Sequence, residues 1–415
     1  MTENPQFADE RFRKQFELIE TSFRAQGIPI AVHEQEGRPV AIYAADRILV
    51  RSGAEADVRR LFADDTLLRA DVPTIPGLVV LLVPEGEVPN FLTEIEGRLG
   101  PRIASRSYVL SVTPVACCPA TEPEPPGCHD DCARPCPPPQ IGVAGHPVRV
   151  GVSDTGLLGD SATHSWLQGV TGEPEPLGAV DAATGLATIP AYGGHGTFIA
   201  GVVRCVAPEA QVYVADHLPT AGVGALLDHE IVVKLVDLLA RGVDLINLSA
   251  GGTTVDGGPM LAFEVFHDDH LSQFPGVVLV ASAGNNSDTV PFWPAAADWA
   301  TGVGALAADL RHRAWFSNSG ASADVWAPGE ALVNAFASGV YTYDEPPRAG
   351  AREIFSGMAR WSGTSFAAPV VVGLVAARMS RTGETAPQAL TAVLQVALAQ
   401  TIPGLGPALY AAQHI

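Results

Sequence analysis

The sequence predicts an α/β protein with a mostly parallel sheet, preceded by a small α+β domain. Three observations carry that expectation. From residue 147 to the C-terminus, short buried apolar runs alternate with helix-length segments, the pattern of a parallel sheet covered on both faces. Residues 1–113 show a tighter alternation of short strands and amphipathic helices. Between them, residues 114–146 are rich in Pro and hold five of the six cysteines, a composition with little regular structure that suits a linker or a stapled loop.

The elements follow in order. In Asp9 to Ala25, Phe12, Phe16, Ile19 and Phe23 fall on one helical face, and Gly27 ends the helix. Pro39–Tyr43 and Arg47–Arg51 read as two strands, Ala54–Phe62 as a helix and Gly77–Val83 as a strand. Pro89–Leu99 has Leu92, Ile95 and Leu99 at helical spacing, and Ser107–Val112 closes the domain as a strand. After the linker, strands are expected at Val148–Val152, Val212–Ala215, Asp244–Leu248, Val277–Ser282 and Gly302–Leu306. Helices are expected at His195–Val206, Leu226–Arg241, Pro259–Leu271, Phe366–Met379 and Pro387–Leu398.

Composition bounds the function. At 415 residues the chain can bury sizeable cores, and 47% hydrophobic with 17% charged residues marks it as folded. Lys+Arg is 25 against Asp+Glu 45, a net charge of −20, which argues against nucleic acid and anionic membranes as partners. No calcium-loop motif appears. Residues 1–15 are polar and lack the apolar core of a signal peptide, and no apolar run is long enough to span a membrane, so a cytoplasmic location is expected. Cys117, Cys118, Cys128, Cys132 and Cys136 allow three readings: disulfides, a zinc site using His129 or Cys117 with the other thiols, or free thiols.

Four segments carry the chemistry. The strand Val148–Val152 runs into Ser153-Asp154-Thr155-Gly156, so Asp154 is a carboxylate at a buried strand end, costly unless something cationic or hydrogen-bonding meets it. In Gly193-Gly194-His195-Gly196-Thr197 a histidine opens an apolar helix between glycines that let other groups approach its ring. Val278–Ala281 leads to Ser282-Ala283-Gly284-Asn285. Finally, Trp361-Ser362-Gly363-Thr364-Ser365 delivers a serine to the start of an apolar helix, with Pro369 placed in its first turn. Free N–H groups there favour developing negative charge. Taken singly, each residue has a structural use: an N-cap for Ser365, a turn for Asp154 and Asn285.

Together, Asp154-Thr155-Gly156, His195-Gly196-Thr197 and Gly363-Thr364-Ser365 followed by Ala367-Ala368-Pro369 resemble the motif blocks of the subtilisin-like (subtilase) serine proteases, in the family's order. Ile246–Gly252 and Phe316–Gly320 leading to Ala327-Pro328-Gly329 look similar as well. The resemblance covers residues 147–415. It implies a three-layer subtilisin-like fold and peptide-bond hydrolysis without a cofactor or catalytic metal, through Asp154, His195 and Ser365, with Asn285 in an oxyanion hole. It also implies substrate contacts from Ser249, Ala250 and Gly251 and from Ser282, Ala283 and Gly284. These walls are small and uncharged, so a medium or large apolar side chain is expected before the cut bond. The position after His195-Gly196-Thr197, often histidine in the family, is Phe198 here. By the same resemblance, residues 1–113 are expected to act as a propeptide-like chaperone and inhibitor, or as a regulatory domain. The alternative is a latent or non-catalytic protein of the same fold, although no residue of the set is missing. An esterase is disfavoured because Ser365 lacks the Gly-x-Ser-x-Gly elbow.

Overall fold

The structure, a computed structural model, describes residues 5–35, 38–62, 67–111, 121–127, 145–219 and 223–410. The five linker cysteines lie outside the described residues. The chain opens with helix α1 (Pro5–Ala25), then β1 (Ile30–Gln35), β2 (Arg38–Arg51), α2 (Glu55–Leu61), β3 (Leu68–Arg69), β4 (Leu78–Leu82), α3 (Val88–Leu99) and β5 (Ala104–Ser111). Strands β5, β2, β4 and β3 lie side by side and antiparallel, with β1 added to the first half of β2. The two strands expected at 39–43 and 47–51 are one. Its register with β5 shifts between Tyr43 and Ile48, so the strand changes partner from β1 to β4 across an irregularity instead of turning. On α1, Phe16, Ile19 and Phe23 pack against Ile42 and Ala44 of β2.

The remainder is built on a parallel sheet of seven strands, running from edge to edge as Val325–Pro328, Thr301–Leu306, Val278–Ser282, Leu245–Leu248, Arg149–Asp154, Gln211–Asp216 and Thr171–Gly172. In chain order the new elements are β6 (Arg149–Asp154), β7 (Leu157–Leu158), β8 (Thr171–Gly172), β9 (Pro174–Glu175), β10 (Thr188–Ile189), α4 (His195–Val206), β11 (Gln211–Asp216), β12 (Ala225–Leu227), α5 (Asp228–Ala240), β13 (Leu245–Leu248), α6 (Leu261–Asp269), β14 (Val278–Ser282), β15 (Thr301–Leu306), β16 (Val325–Pro328), β17 (Leu332–Thr342), β18 (Arg352–Trp361), α7 (Thr364–Thr382) and α8 (Ala386–Ala399). Both faces of the sheet are buried, which is why its strands are continuous apolar runs. Val150 and Val152 of β6 join α4, α7 and α8 in one core, while Ile246, Leu248, Leu279 and Ala281 face α5 and α6 in another.

That second core does not stop at the helices. It continues into Ile48, Val50, Val80, Val88, Ile95 and Leu110 of the N-terminal region. β12 also leaves the parallel sheet to pair antiparallel with β5, Leu226 opposite Leu110. Helix α5 therefore begins at Asp228, not at Leu226 as expected. The Glu230 side chain caps its start by accepting the Leu227 N–H at 3.0 Å. The long β17–β18 hairpin packs beside α4 and receives β10 at its edge. Residues 121–127 bridge to it through Glu124 and Arg360. No helix among the described residues is long and apolar enough to cross a membrane.

Candidate active site

Asp154 ends β6, and His195 is the first residue of α4 one crossover later, so both stand at the carboxyl edge of the sheet. In open α/β sheets that edge is where ligands bind. His195 Nδ1 lies 2.7 Å from Asp154 Oδ1, and both side chains are fully buried. A carboxylate only accepts, so Nδ1 carries the proton and Nε2 is left as the basic nitrogen of the neutral ring. The Thr155 N–H donates to the same Asp154 oxygen at 2.9 Å.

The glycines around His195 answer to close contacts. Gly194 has φ +84° as the N-cap of α4, and a Cβ on Gly196 would stand 2.6 Å from the Gly156 carbonyl oxygen. The ring sits among Trp361 and Phe366, with centroids 5.5 and 5.2 Å away. Phe198 packs on those same two aromatics from one turn along α4. The phenylalanine in place of a second histidine is thus part of the apolar wall behind the imidazole.

Ser365 lies in the first turn of α7, next to Phe366, and is 1% exposed. The N-cap is Gly363, so the serine is not spent on capping. Its hydroxyl is 3.4 Å from the Ser249 carbonyl oxygen, to which it donates, and it does not hydrogen-bond His195. His195 Nε2 is buried and has no hydrogen-bond partner among the described residues. Pro369 is not in the first turn, contrary to expectation, but inside the helix. Without a Pro369 N–H, the Ser365 carbonyl loses its helical donor, and the Ser249 hydroxyl donates to it instead at 2.8 Å.

Asn285 follows β14. Its Oδ1 accepts the Thr364 N–H at 2.8 Å, which turns the amide nitrogen to the donor side, and the Thr364 hydroxyl accepts from the Gly284 N–H at 3.2 Å. β13 and β14 are parallel neighbours with Leu248 opposite Ala281, so Ser249-Ala250-Gly251 and Ser282-Ala283-Gly284 extend side by side from their carboxyl ends. All the expected site residues thus gather at one edge.

One acid there was not expected from the sequence. Glu175 of β9 is buried, and its Oε1 accepts the Gly194 N–H at 2.9 Å. Thr155 hydrogen-bonds the same carboxyl, and the Thr155 Oγ1 accepts the Gly196 N–H at 3.0 Å, so Glu175 reaches the backbone on both sides of His195. Burial pushes its carboxyl well above the usual range, and the neighbouring charges of Asp154 and Asp216 push the same way. Nothing in Glu173-Pro174-Glu175 marks this role, because it depends on a fold contact with a loop further along the chain.

The model of the subtilase family (peptidase S8) matches residues 145–405. The chain belongs to that family. Subtilisin DY of Bacillus licheniformis is 30% identical over 254 residues, which cover 58% of this subtilase and 79% of that protein. The thermophilic serine proteinase of Bacillus sp. (strain AK1) is 31% identical over 197 residues, covering 44% of this chain and only 41% of the relative. Among solved structures, fervidolysin from Fervidobacterium pennivorans aligns with 92% of this subtilase and 61% of its own chain, at a TM-score of 0.59 and 19% identity. That likeness extends the shared fold through the N-terminal antiparallel α+β region. A point mutant of the protease domain of PatA aligns with 65% of the chain and 95% of its own, at a TM-score of 0.50 and 25% identity. Subtilisin-like serine endopeptidases are thus this chain's homologues, and the family acts on polypeptide substrates.

Proposed function

We propose that the protein is a serine endopeptidase in which Asp154, His195 and Ser365 form the catalytic triad and Asn285 serves the oxyanion hole. The observation that carries this reading is the buried His195–Asp154 hydrogen bond of 2.7 Å, set beside a serine in the first turn of a buried helix. The Ser365 hydroxyl is a weak nucleophile until its proton leaves, and His195 Nε2 is the base left to take it. This requires the hydroxyl to turn from the Ser249 carbonyl toward the ring. Asp154 holds the tautomer and stabilises the imidazolium. Charge then gathers on the substrate carbonyl oxygen, where the Asn285 amide and the Ser365 N–H at the positive end of α7 donate. His195 returns the proton to the leaving amine, and water hydrolyses the acyl-enzyme by the same route in reverse. Substrate backbone adds as a strand along Ser249–Gly251.

The N-terminal region, residues 1–113, acts as a built-in inhibitor in this reading, tethered by residues 114–146 to a peptidase domain of residues 147–415. Val109 of β5 lies against Gly252, just past the substrate strip, where a Cβ would meet the Val109 oxygen at 3.1 Å. The next described stretch begins at Thr121, whose carbonyl accepts from Trp361 Nε1 at 2.6 Å, and Trp361 stands edge-on to His195. The two described ends of this connection therefore flank the site.

One experiment tests both parts: treat wild type, Ser365→Ala and His195→Ala with a fluorophosphonate and weigh the products. Wild type alone should carry the label and yield a lower-mass chain. Label retained by His195→Ala at the wild-type rate would remove the triad, and an unlabelled, uncut wild type would remove the endopeptidase.

A further inference from the structure

In the proposed reading, the side chain before the cut bond lies between the strips Ser249–Gly251 and Ser282–Gly284, whose last residues are Gly251 and Gly284. That space is occupied. A Cβ on Gly251 would stand 2.4 Å from Cε1 and 2.9 Å from Cδ1 of Phe292, and a Cβ on Gly284 would stand 2.9 Å from both Cδ2 and Cγ of the same ring. One edge of the phenyl group is pressed on one wall and the opposite edge on the other. Both positions need glycine: a Cβ on Gly251 would also meet the Trp293 carbonyl oxygen at 2.6 Å, and one on Gly284 would meet Asn318 Nδ2 at 2.5 Å, quite apart from the φ of +91° at Gly284.

The ring is also held. The Phe292 N–H donates to Ser322 Oγ at 2.8 Å, and the Phe292 carbonyl accepts the Ala296 N–H at 2.9 Å. The next residue, Trp293, exchanges two backbone hydrogen bonds with Gly252, at 3.0 and 2.8 Å, which ties this segment to the end of the Ser249–Gly251 strip. Phe292 is 2% exposed. Swinging the ring aside would break close packing on both walls, so it acts as a fixed floor.

We propose that Phe292 determines specificity by filling the inner part of this pocket, so that the enzyme cuts after small side chains such as Ala, Gly or Ser and rejects large ones. The proposal rests on the endopeptidase reading and corrects the expectation of a medium or large apolar residue, which followed from the small wall residues alone. That expectation missed the ring because Phe292 comes from a segment outside both walls.

The test uses the protein as it stands after self-processing and two peptidyl phosphonates that differ only in carrying Ala or Phe next to phosphorus, with a plain fluorophosphonate as reference. Wild type should react with the Ala reagent at least about tenfold faster than with the Phe reagent, since a mismatch of even one methylene in a hydrophobic pocket discriminates by ~10–200-fold. In Phe292→Ala the preference should fall by at least about tenfold, chiefly through a gain with the Phe reagent. Equal rates with the two reagents in wild type would overturn the proposal without any variant. So would an unchanged preference in Phe292→Ala, or in Phe292→Leu should the alanine variant not fold. Labelling by the fluorophosphonate but by neither peptide reagent would overturn the pocket assignment alone, whereas no labelling by any of the three removes the endopeptidase reading beneath it.

Discussion

Glu175 shows how one side chain can be set against its surroundings. It supports the backbone at Gly194 directly and at Gly196 through Thr155, yet it does so as a carboxyl buried close to Asp154 and Asp216. Burial raises its folded pKa above the ordinary value near 4.5. An acid whose pKa is raised by folding contributes stability fully below its unfolded pKa and loses it as pH climbs through the folded one. Glu175→Gln keeps an acceptor for the Gly194 N–H and cannot ionise. The variant should therefore melt close to wild type at pH 4 and gain on it as pH rises, by at least about 2 °C at pH 8. Parallel melting curves for the two proteins across that range would show that Glu175 carries no such linkage. The comparison is best made in a Ser365→Ala background, where self-cleavage cannot distort the curves.

At the scale of elements, legibility in the sequence tracked how local the cause was. Helix α4 was readable with its observed ends, because a glycine, a histidine and an unbroken apolar run mark it without outside help. β12 was not. Ala225-Leu226-Leu227 has the helix propensity of the segment it precedes, and only pairing with β5, far earlier in the chain, makes it extended. β17 and β16 escaped for another reason: nearly every residue in them is buried, so the alternation that marks a strand is missing. The residues of the proposed triad were legible from their motifs, whereas Glu175 and Phe292 make contacts that no spacing announces. Pro369 in α7 belongs to this scale as well, since its missing N–H leaves the Ser365 carbonyl to the Ser249 hydroxyl, which also accepts from Asn247 Nδ2 at 2.9 Å. Ser249→Ala strands two buried polar groups, at a cost of about 1–3 kcal/mol each. It should lower the melting temperature by roughly 2–6 °C, and reduce turnover more than it raises KM, because the strip's backbone stays while the serine's support goes. An unchanged melting temperature would show that the helix does not depend on this bond.

For the whole molecule, the question is whether the N-terminal region is a separable cap or part of one folded body. Its strands share a continuous apolar core with α5, α6 and one face of the parallel sheet. Across the same boundary, Ser107 of β5 stands 2.9 Å from His229 Nδ1 and donates to Asp228 Oδ1 at 3.1 Å, in a fully buried cluster at the start of α5. Arg51 adds an ion pair to Glu264 on α6. An interface of this kind resembles the inside of a domain more than a surface contact, and melting the N-terminal region first would expose the outer faces of α5 and α6 to water. The uncut Ser365→Ala chain should therefore unfold in one cooperative transition despite its two large sheets. Its tryptophans offer a check, because all six lie between Trp166 and Trp361, within the parallel-sheet part of the chain. Calorimetry, by contrast, registers the whole chain. If the two parts are one unit, the heat-absorption peak and the fluorescence transition coincide, and the calorimetric and van't Hoff enthalpies agree. An earlier endotherm silent in fluorescence would mean that the N-terminal region melts on its own, and an inhibitor so loosely held would leave the site open well below the melting point of the peptidase.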